Sequence, residues 1–248
     1  MNRQPLLPSV SIPGLLIAGT ESGVGQTVAA GAIAASLRMQ GYRVGALKPC
    51  GVGCVHRREG LVSEEAELLA YWGDVRFPLD VICPQRYGHT MSPAAASEKE
   101  KRPLDWNVIR LGMEMIARES DVMIVDGVSG LMAPMDREVT FLDVACWLSV
   151  QTVVVARPDR DTVNRTLLAL TALRSAGVRI AGVVVNRYNP ERISAADEGN
   201  ILAIERWGRT RVLTVLPDEP IIRGMLPPGI AEAAAKVDWA SLCGLVCG

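Results

Sequence analysis

Gly19-Thr20-Glu21-Ser22-Gly23-Val24-Gly25-Gln26-Thr27 decides how this chain folds. It follows a short apolar run at 15–18, expected as a buried strand, and precedes an Ala-rich run at 28–40, expected as a helix closed by Gly41. A glycine loop between strand and helix turns backbone N–H groups inward ahead of a helix N-terminus, so phosphate oxygens meet both donors and a favourable dipole. Gly23 and Gly25 supply the tight turn, and Thr27 carries the hydroxyl that such loops present to magnesium. Two departures stand out. In the G-x-x-x-x-G-K-[ST] spacing the first glycine position falls on Thr20, one residue after Gly19, and the lysine position is Gln26. An amide donates hydrogen bonds without charge, and loss of one well-placed charge or donor costs about 2.7–4 kcal/mol, roughly 100- to 1,000-fold in rate. The blander reading is a compact turn with no ligand.

The rest of the chain bounds the partners. Its 248 residues suit one large domain, 1–248, and the 49% hydrophobic content supports a substantial core. A net charge of −1, with both signs interspersed, argues against nucleic-acid or membrane-surface binding and for a small-molecule partner. Six cysteines lack the dense spacing of a secreted disulfide scaffold, which points to a reducing cytoplasm. Prolines at 5, 8 and 13 interrupt the first residues, leaving no apolar stretch for a signal peptide, and no run reaches the roughly 18 apolar residues of a membrane span.

Beyond the first helix, residues 43–48 read as a strand ending in Lys48 and Pro49, and Ser63 as the N-cap of a helix over 64–72 stopped by Gly73. Residues 77–93, broken by three prolines and Gly88, suggest a short strand among loops. Asp105 caps an expected helix to about Arg118, with Val108, Leu111, Met115 and Ile116 on its core face. An apolar strand at 122–125 then delivers Asp126 and Gly127. Helices at 140–150, 162–176 and 195–207 alternate with strands at 152–156, 180–185 and 212–216, and a last Ala-rich helix follows Pro227-Pro228-Gly229. Unbroken apolar strands alternating with helices imply a doubly wound α/β fold: a mainly parallel sheet covered by helices on both faces, with ligands at the C-terminal strand ends. Gly19, Lys48, Asp126 and Asn186 all fall at such ends.

Magnesium-dependent phosphate chemistry needs hard oxygen ligands, and Thr27 with Asp126 forms the usual hydroxyl and carboxylate pair. Glu65 is a third candidate, although acids are common in a helix's first turn for dipole reasons alone. Lys48 places a cation at the same sheet end; the plainer alternative is a surface lysine before a turn. Cys50, Cys54 and His56 make at most a partial metal site without a fourth ligand, and Cys243 and Cys247, one helical turn apart, read as core residues.

The loop at 19–27, Leu47-Lys48-Pro49, Glu65-Ala66-Glu67-Leu68-Leu69, Ser92-Pro93, Val125-Asp126-Gly127 and Val185-Asn186 resemble, in order and spacing, the dethiobiotin synthetase family over 14–217. The resemblance implies a homodimeric, cytoplasmic P-loop NTPase-type enzyme that uses ATP and Mg2+ to close a ureido ring on 7,8-diaminononanoate with CO2 in biotin synthesis. Carried over position by position, it implies that Gly23, Val24, Gly25, Gln26, Thr27 and Val28 hold the phosphates, with Asp126 and Gly127 beside them. Thr27, Glu65 and Asp126 would hold magnesium, and Lys48 would be the catalytic lysine near carbamate and γ-phosphate. Asn186 and Pro217 would meet the adenine, and Val52 and Ser92 the substrate. The departures cluster here: Gln26 for lysine, Val52 for a hydroxyl residue, Val128-Ser129 within a glycine-rich stretch, and an exchange of Asp and Glu between positions 65 and 126. Lys48 or Arg160 are the cations expected to supply the missing charge. Two readings stay open, an ATP-dependent cyclo-ligase and a nucleotide-binding homologue with a regulatory or assembly role.

Overall fold

A computed structural model describes residues 4–189, 191 and 195–245, with the side chains of 195–198 outside that description; Cys247 also lies outside it. In chain order the elements are β1 (Gly14–Gly19), α1 (Gln26–Met39), β2 (Val44–Leu47), β3 (Cys50–Gly51), β4 (Val55–Arg57), β5 (Gly60–Val62) and α2 (Glu64–Gly73). Next come α3 (Leu79–Ile82), β6 (Gln85–Arg86), α4 (Pro93–Lys99), α5 (Trp106–Glu119), β7 (Val122–Gly130), α6 (Phe141–Leu148) and β8 (Gln151–Ala156). The chain continues through α7 (Thr162–Ser175), β9 (Ile180–Tyr188), α8 (Ala195–Gly208), β10 (Val212–Pro217), α9 (Pro228–Ala235) and α10 (Trp239–Cys243).

Six strands form one parallel sheet in the order β10-β9-β8-β1-β7-β2. The period of two along β1 divides its side chains between two cores, since neighbouring residues of a strand face opposite sides. Leu16 and Ala18 join residues of α5, α6 and α7 on one face; Leu15 and Ile17 join residues of α1, α2, α9 and α10 on the other. The last Ala-rich stretch is two short helices docked on α1 and the sheet. No described helix is long and apolar enough to cross a membrane.

Several local expectations change. On α5 the buried face is Ile109, Gly112, Met113 and Ile116, whereas Val108, Leu111 and Met115 are exposed. Gly112 lies on the buried face close to the Val81 carbonyl, which would stand 3.0 Å from a Cβ there, tighter than most side chains sit. The short strand expected within 77–93 is the two-residue β6, preceded by a single helical turn, α3, that was not anticipated, and neither were α4 and the β4–β5 hairpin. Gly73 lies within α2, which stops at the left-handed Asp74. Strand β7 runs on through Gly130, so Asp126 and Gly127 belong to the ladder.

Helices α1 and α2 meet where Gly31 faces the indole of Trp72, whose Nε1 donates to the Gly224 carbonyl at 2.7 Å. A Cβ at position 31 would stand 2.6 Å from Trp72 Cε3, so the ring must move. Gly31→Ala therefore loses its usual helix-propensity gain to overpacking and should lower stability by roughly 1–2 kcal/mol, read as a lower melting temperature. An unchanged or higher melting temperature would show that the indole yields freely.

Candidate active site at the strand ends

The glycine loop closes over β1 with Gly25 in the left-handed region, φ 86, as the N-cap of α1. The first bond of α1 runs from Ala29 N–H to the Gly25 carbonyl at 3.1 Å, which leaves the N–H groups of Gln26, Thr27 and Val28 unused by the helix. These residues border a cavity of about 380 Å³, shared with Lys48, Val52, Glu65, Val128 and Arg187. Orphan amides at a helix N-terminus beside an open cavity form an anion site. A wider cleft of about 870 Å³ near Arg102 and Val139 lies away from the strand ends and contains none of the loop residues.

Strand pleating explains what reaches the site. Ile124 faces the core beneath α1, so Asp126, two residues on, faces α1 as well and lies against Thr27. Thr27 Oγ1 donates to Asp126 Oδ2 at 2.7 Å. Lys48, at the end of β2, is 1% exposed and donates from Nζ to the same Asp126 Oδ2 at 2.8 Å, to Glu65 Oε2 at 2.9 Å and to the Gly127 carbonyl at 3.2 Å. Burial draws the Lys48 pKa down, but Asp126 and Glu65 outweigh it and hold it above the ordinary lysine value, so the amine stays an ammonium. Burial pushes the Asp126 carboxyl up, and the ammonium opposes that rise. Lys48 is thus the counter-ion of both acids and no surface residue.

Gln26 is nearly buried and turns beneath the loop, its Nε2 donating to the Gly127 carbonyl at 2.6 Å. One carbonyl oxygen receives both the Gln26 amide and the Lys48 ammonium. A second ammonium from position 26 would meet a like charge across that oxygen in a dry site, a cost that the neutral amide avoids. Asn186 faces the same way as Val184, two residues earlier on β9, and its Nδ2 donates to the Val24 carbonyl at 3.0 Å, bracing the loop from below.

The structure thus brings Gly23, Gly25, Gln26, Thr27, Val28, Lys48, Val52 and Glu65 to one cavity, with Val24, Asp126, Gly127 and Asn186 packed beneath or beside it. Ser92 and Pro217 do not line the cavity: Ser92 caps α4 through its hydroxyl, and Pro217 ends β10. Arg160 is exposed and outside the lining, and neighbouring Arg157 is engaged by Asp159 at 2.8 Å and Glu21 at 3.2 Å. Cys50 and Cys54 are buried while His56 is exposed on β4, and among the described residues no three His, Cys, Asp or Glu side chains converge on a metal. Thr90 and Arg187 line the cavity without having been anticipated. Arg187 directly follows Asn186 at a strand end, a position that the rule for parallel sheets already marks.

The oxygen donors suit magnesium chemically. Thr27 supplies a hydroxyl, Asp126 and Glu65 supply carboxylates, and Asp126 Oδ1 is buried without a hydrogen-bond partner.

A family model described as an AAA domain matches residues 13–225. The chain is 35% identical over 227 residues to the ATP-dependent dethiobiotin synthetase BioD of Anaeromyxobacter dehalogenans (strain 2CP-C), covering 91% of this chain and 99% of that protein. It is 30% identical over 221 residues to the protein of the same name from Thermodesulfovibrio yellowstonii, covering 86% and 88%. Among solved structures, the MinD cell division protein of Aquifex aeolicus aligns with a TM-score of 0.55 at 16% identity, over 95% of this chain and 98% of that one. A ParA family ATPase from Chlorobium tepidum aligns with 0.53 at 18% identity, over 94% and 99%. At those identities the structural likeness shows a shared fold.

Proposed function

Because this chain belongs to the dethiobiotin synthetase family, built on a P-loop AAA domain, we propose that it is an ATP-dependent cyclo-ligase that closes a ureido ring on 7,8-diaminononanoate with CO2. The observation that carries this reading is the convergence of free loop amides, a buried ammonium and two carboxylates on one cavity. The amides of residues 26–28 would take the phosphate oxygens, and Thr27, Glu65 and Asp126 would hold Mg2+. When bound, that ion neutralises charge on the β- and γ-phosphates. Lys48 keeps its proton throughout. Held against Asp126, it presents a fixed positive charge at which a substrate carbamate and the terminal phosphate can be brought together, so the chain's part is orientation and charge. Val52 and Val128 add apolar surface to the cavity that Lys48 also lines.

Residues 227–245 complete the same domain, and the working form is a cytoplasmic homodimer. A second reading, a nucleotide-binding partner without turnover, is favoured by one observation: Gln26 spends its amide on the Gly127 carbonyl. Incubating purified protein with the diamine, bicarbonate, ATP and magnesium separates the two. Cyclised product with stoichiometric ADP is the expected result. ATP binding without ADP release would replace the ligase by the binding partner.

A further inference from the structure

We propose that Arg187 is the phosphate-binding cation of this site, reaching the terminal phosphates of a bound nucleoside triphosphate from β9 in place of the charge that the loop itself lacks. The inference rests on the nucleotide-binding part of the reading above and adds a residue to it.

Three observations converge. First, the charge is missing where it is needed. Gln26 is neutral and committed to Gly127, and the Lys48 ammonium is shared among Asp126, Glu65 and Gly127, so its one charge is already matched by two carboxylates before a triphosphate enters. Arg157 is held by Glu21 and Asp159. Arg187, by contrast, is exposed, lines the cavity, and makes no hydrogen bond or ion pair among the described residues.

Second, the backbone is bent to aim it. In a regular strand Arg187 would face away from Asn186, on the opposite side of the sheet. Instead β9 carries an irregularity against β10 at this point: Val215 pairs with Val185 but Pro217 pairs with Tyr188, so one extra residue is accommodated on β9. Arg187 takes φ 60, a left-handed conformation that is strained for a non-glycine residue. Bulges of this kind re-aim side chains beside active sites, and strain of this kind persists where the surroundings over-determine it.

Third, the result is proximity to the loop. A Cβ on Gly25 would lie 3.9 Å from Arg187 Nε, so the guanidinium sits beside the N-cap of α1 and the unused amides of residues 26–28. A planar fork of N–H donors next to three orphan amides is suited to a polyphosphate, because a guanidinium binds phosphate oxygens in pairs.

Titration calorimetry of ATP, ADP and AMP in magnesium chloride, on the parent chain and on Arg187→Ala and Arg187→Lys, tests this. A charge-assisted contact of this type is expected to be worth about 10- to 100-fold in Kd. Arg187→Ala should weaken ATP and ADP by that factor and AMP by less than about 2-fold, and Arg187→Lys should recover most of the loss. Unchanged melting temperatures of both variants exclude misfolding as the cause. Equal losses for all three nucleotides would mean that Arg187 meets the base or ribose, and no loss at all would mean that it meets nothing; either overturns the proposal. Failure of the ligase reading looks different. A chain that forms no product yet shows the phosphate-dependent Arg187 effect keeps this inference and loses only the reaction, whereas a parent chain that binds none of the nucleotides ends both.

Discussion

Lys48→Ala is expected to lower stability by about 3–5 kcal/mol, the usual cost of breaking a buried ion pair from one side, and to abolish product formation. The ammonium is fully buried and joins Asp126, Glu65 and the Gly127 carbonyl, all within 3.2 Å. Without it Asp126, which has no exposure to solvent, keeps only the Thr27 hydroxyl as a partner. The desolvation penalty of that carboxylate is then no longer offset. Lys48→Met, which fills the space without the charge, should fare nearly as badly. Removing both charges in Lys48→Met/Asp126→Leu should recover much of the stability and none of the activity, because an apolar pair of similar volume replaces a buried ion pair at little cost. Denaturant midpoints on these variants, alongside the product assay, decide the matter. A Lys48→Ala chain that unfolds at the parent's midpoint would show that Asp126 is not held by this counter-ion.

Gly25→Ala should reduce ATP affinity by about 100-fold or more, the scale on which a misplacement of about 1 Å acts in a site built on geometry. Two effects add. At φ 86 any side chain is strained, and the new Cβ would overlap Asn186 Nδ2, the atom that braces the loop. Either the loop lifts or Asn186 withdraws, and in both cases the amides of residues 26–28 lose their common focus. Gly23, also left-handed at φ 74, is the internal control, since nothing lies within 4 Å of a Cβ placed there. Gly23→Ala should show the strain alone and the smaller loss of affinity. Calorimetry giving equal affinities for the parent and Gly25→Ala would detach Asn186 from loop geometry.

Much of this was legible in the residues. The loop at 19–27, with apolar runs of strand length alternating with helical ones, was enough for a parallel sheet with helices on both faces, because both signals are local. The strand-end rule then assigned Gly19, Lys48, Asp126 and Asn186 to one end of the sheet. The face of α5 was misread because three apolar residues, Val108, Leu111 and Met115, keep helical spacing on the exposed side, and the true contact surface turns on Gly112, which has no side chain to count. The single-turn helix α3 and the β4–β5 hairpin escaped because elements of three or four residues carry too little periodicity to be read.

The sequence by itself determined the sheet, the loop and the set of strand-end residues, since hydrophobic period and turn chemistry are written in neighbouring positions. Only the tertiary structure decided how charge is distributed among them. That Lys48 is buried against two acids, that Gln26 turns to Gly127, and that a bulge in β9 swings Arg187 towards Gly25 all depend on groups separated by many residues along the chain. Electrostatic energies depend on distance and burial, and neither exists until the strands are side by side.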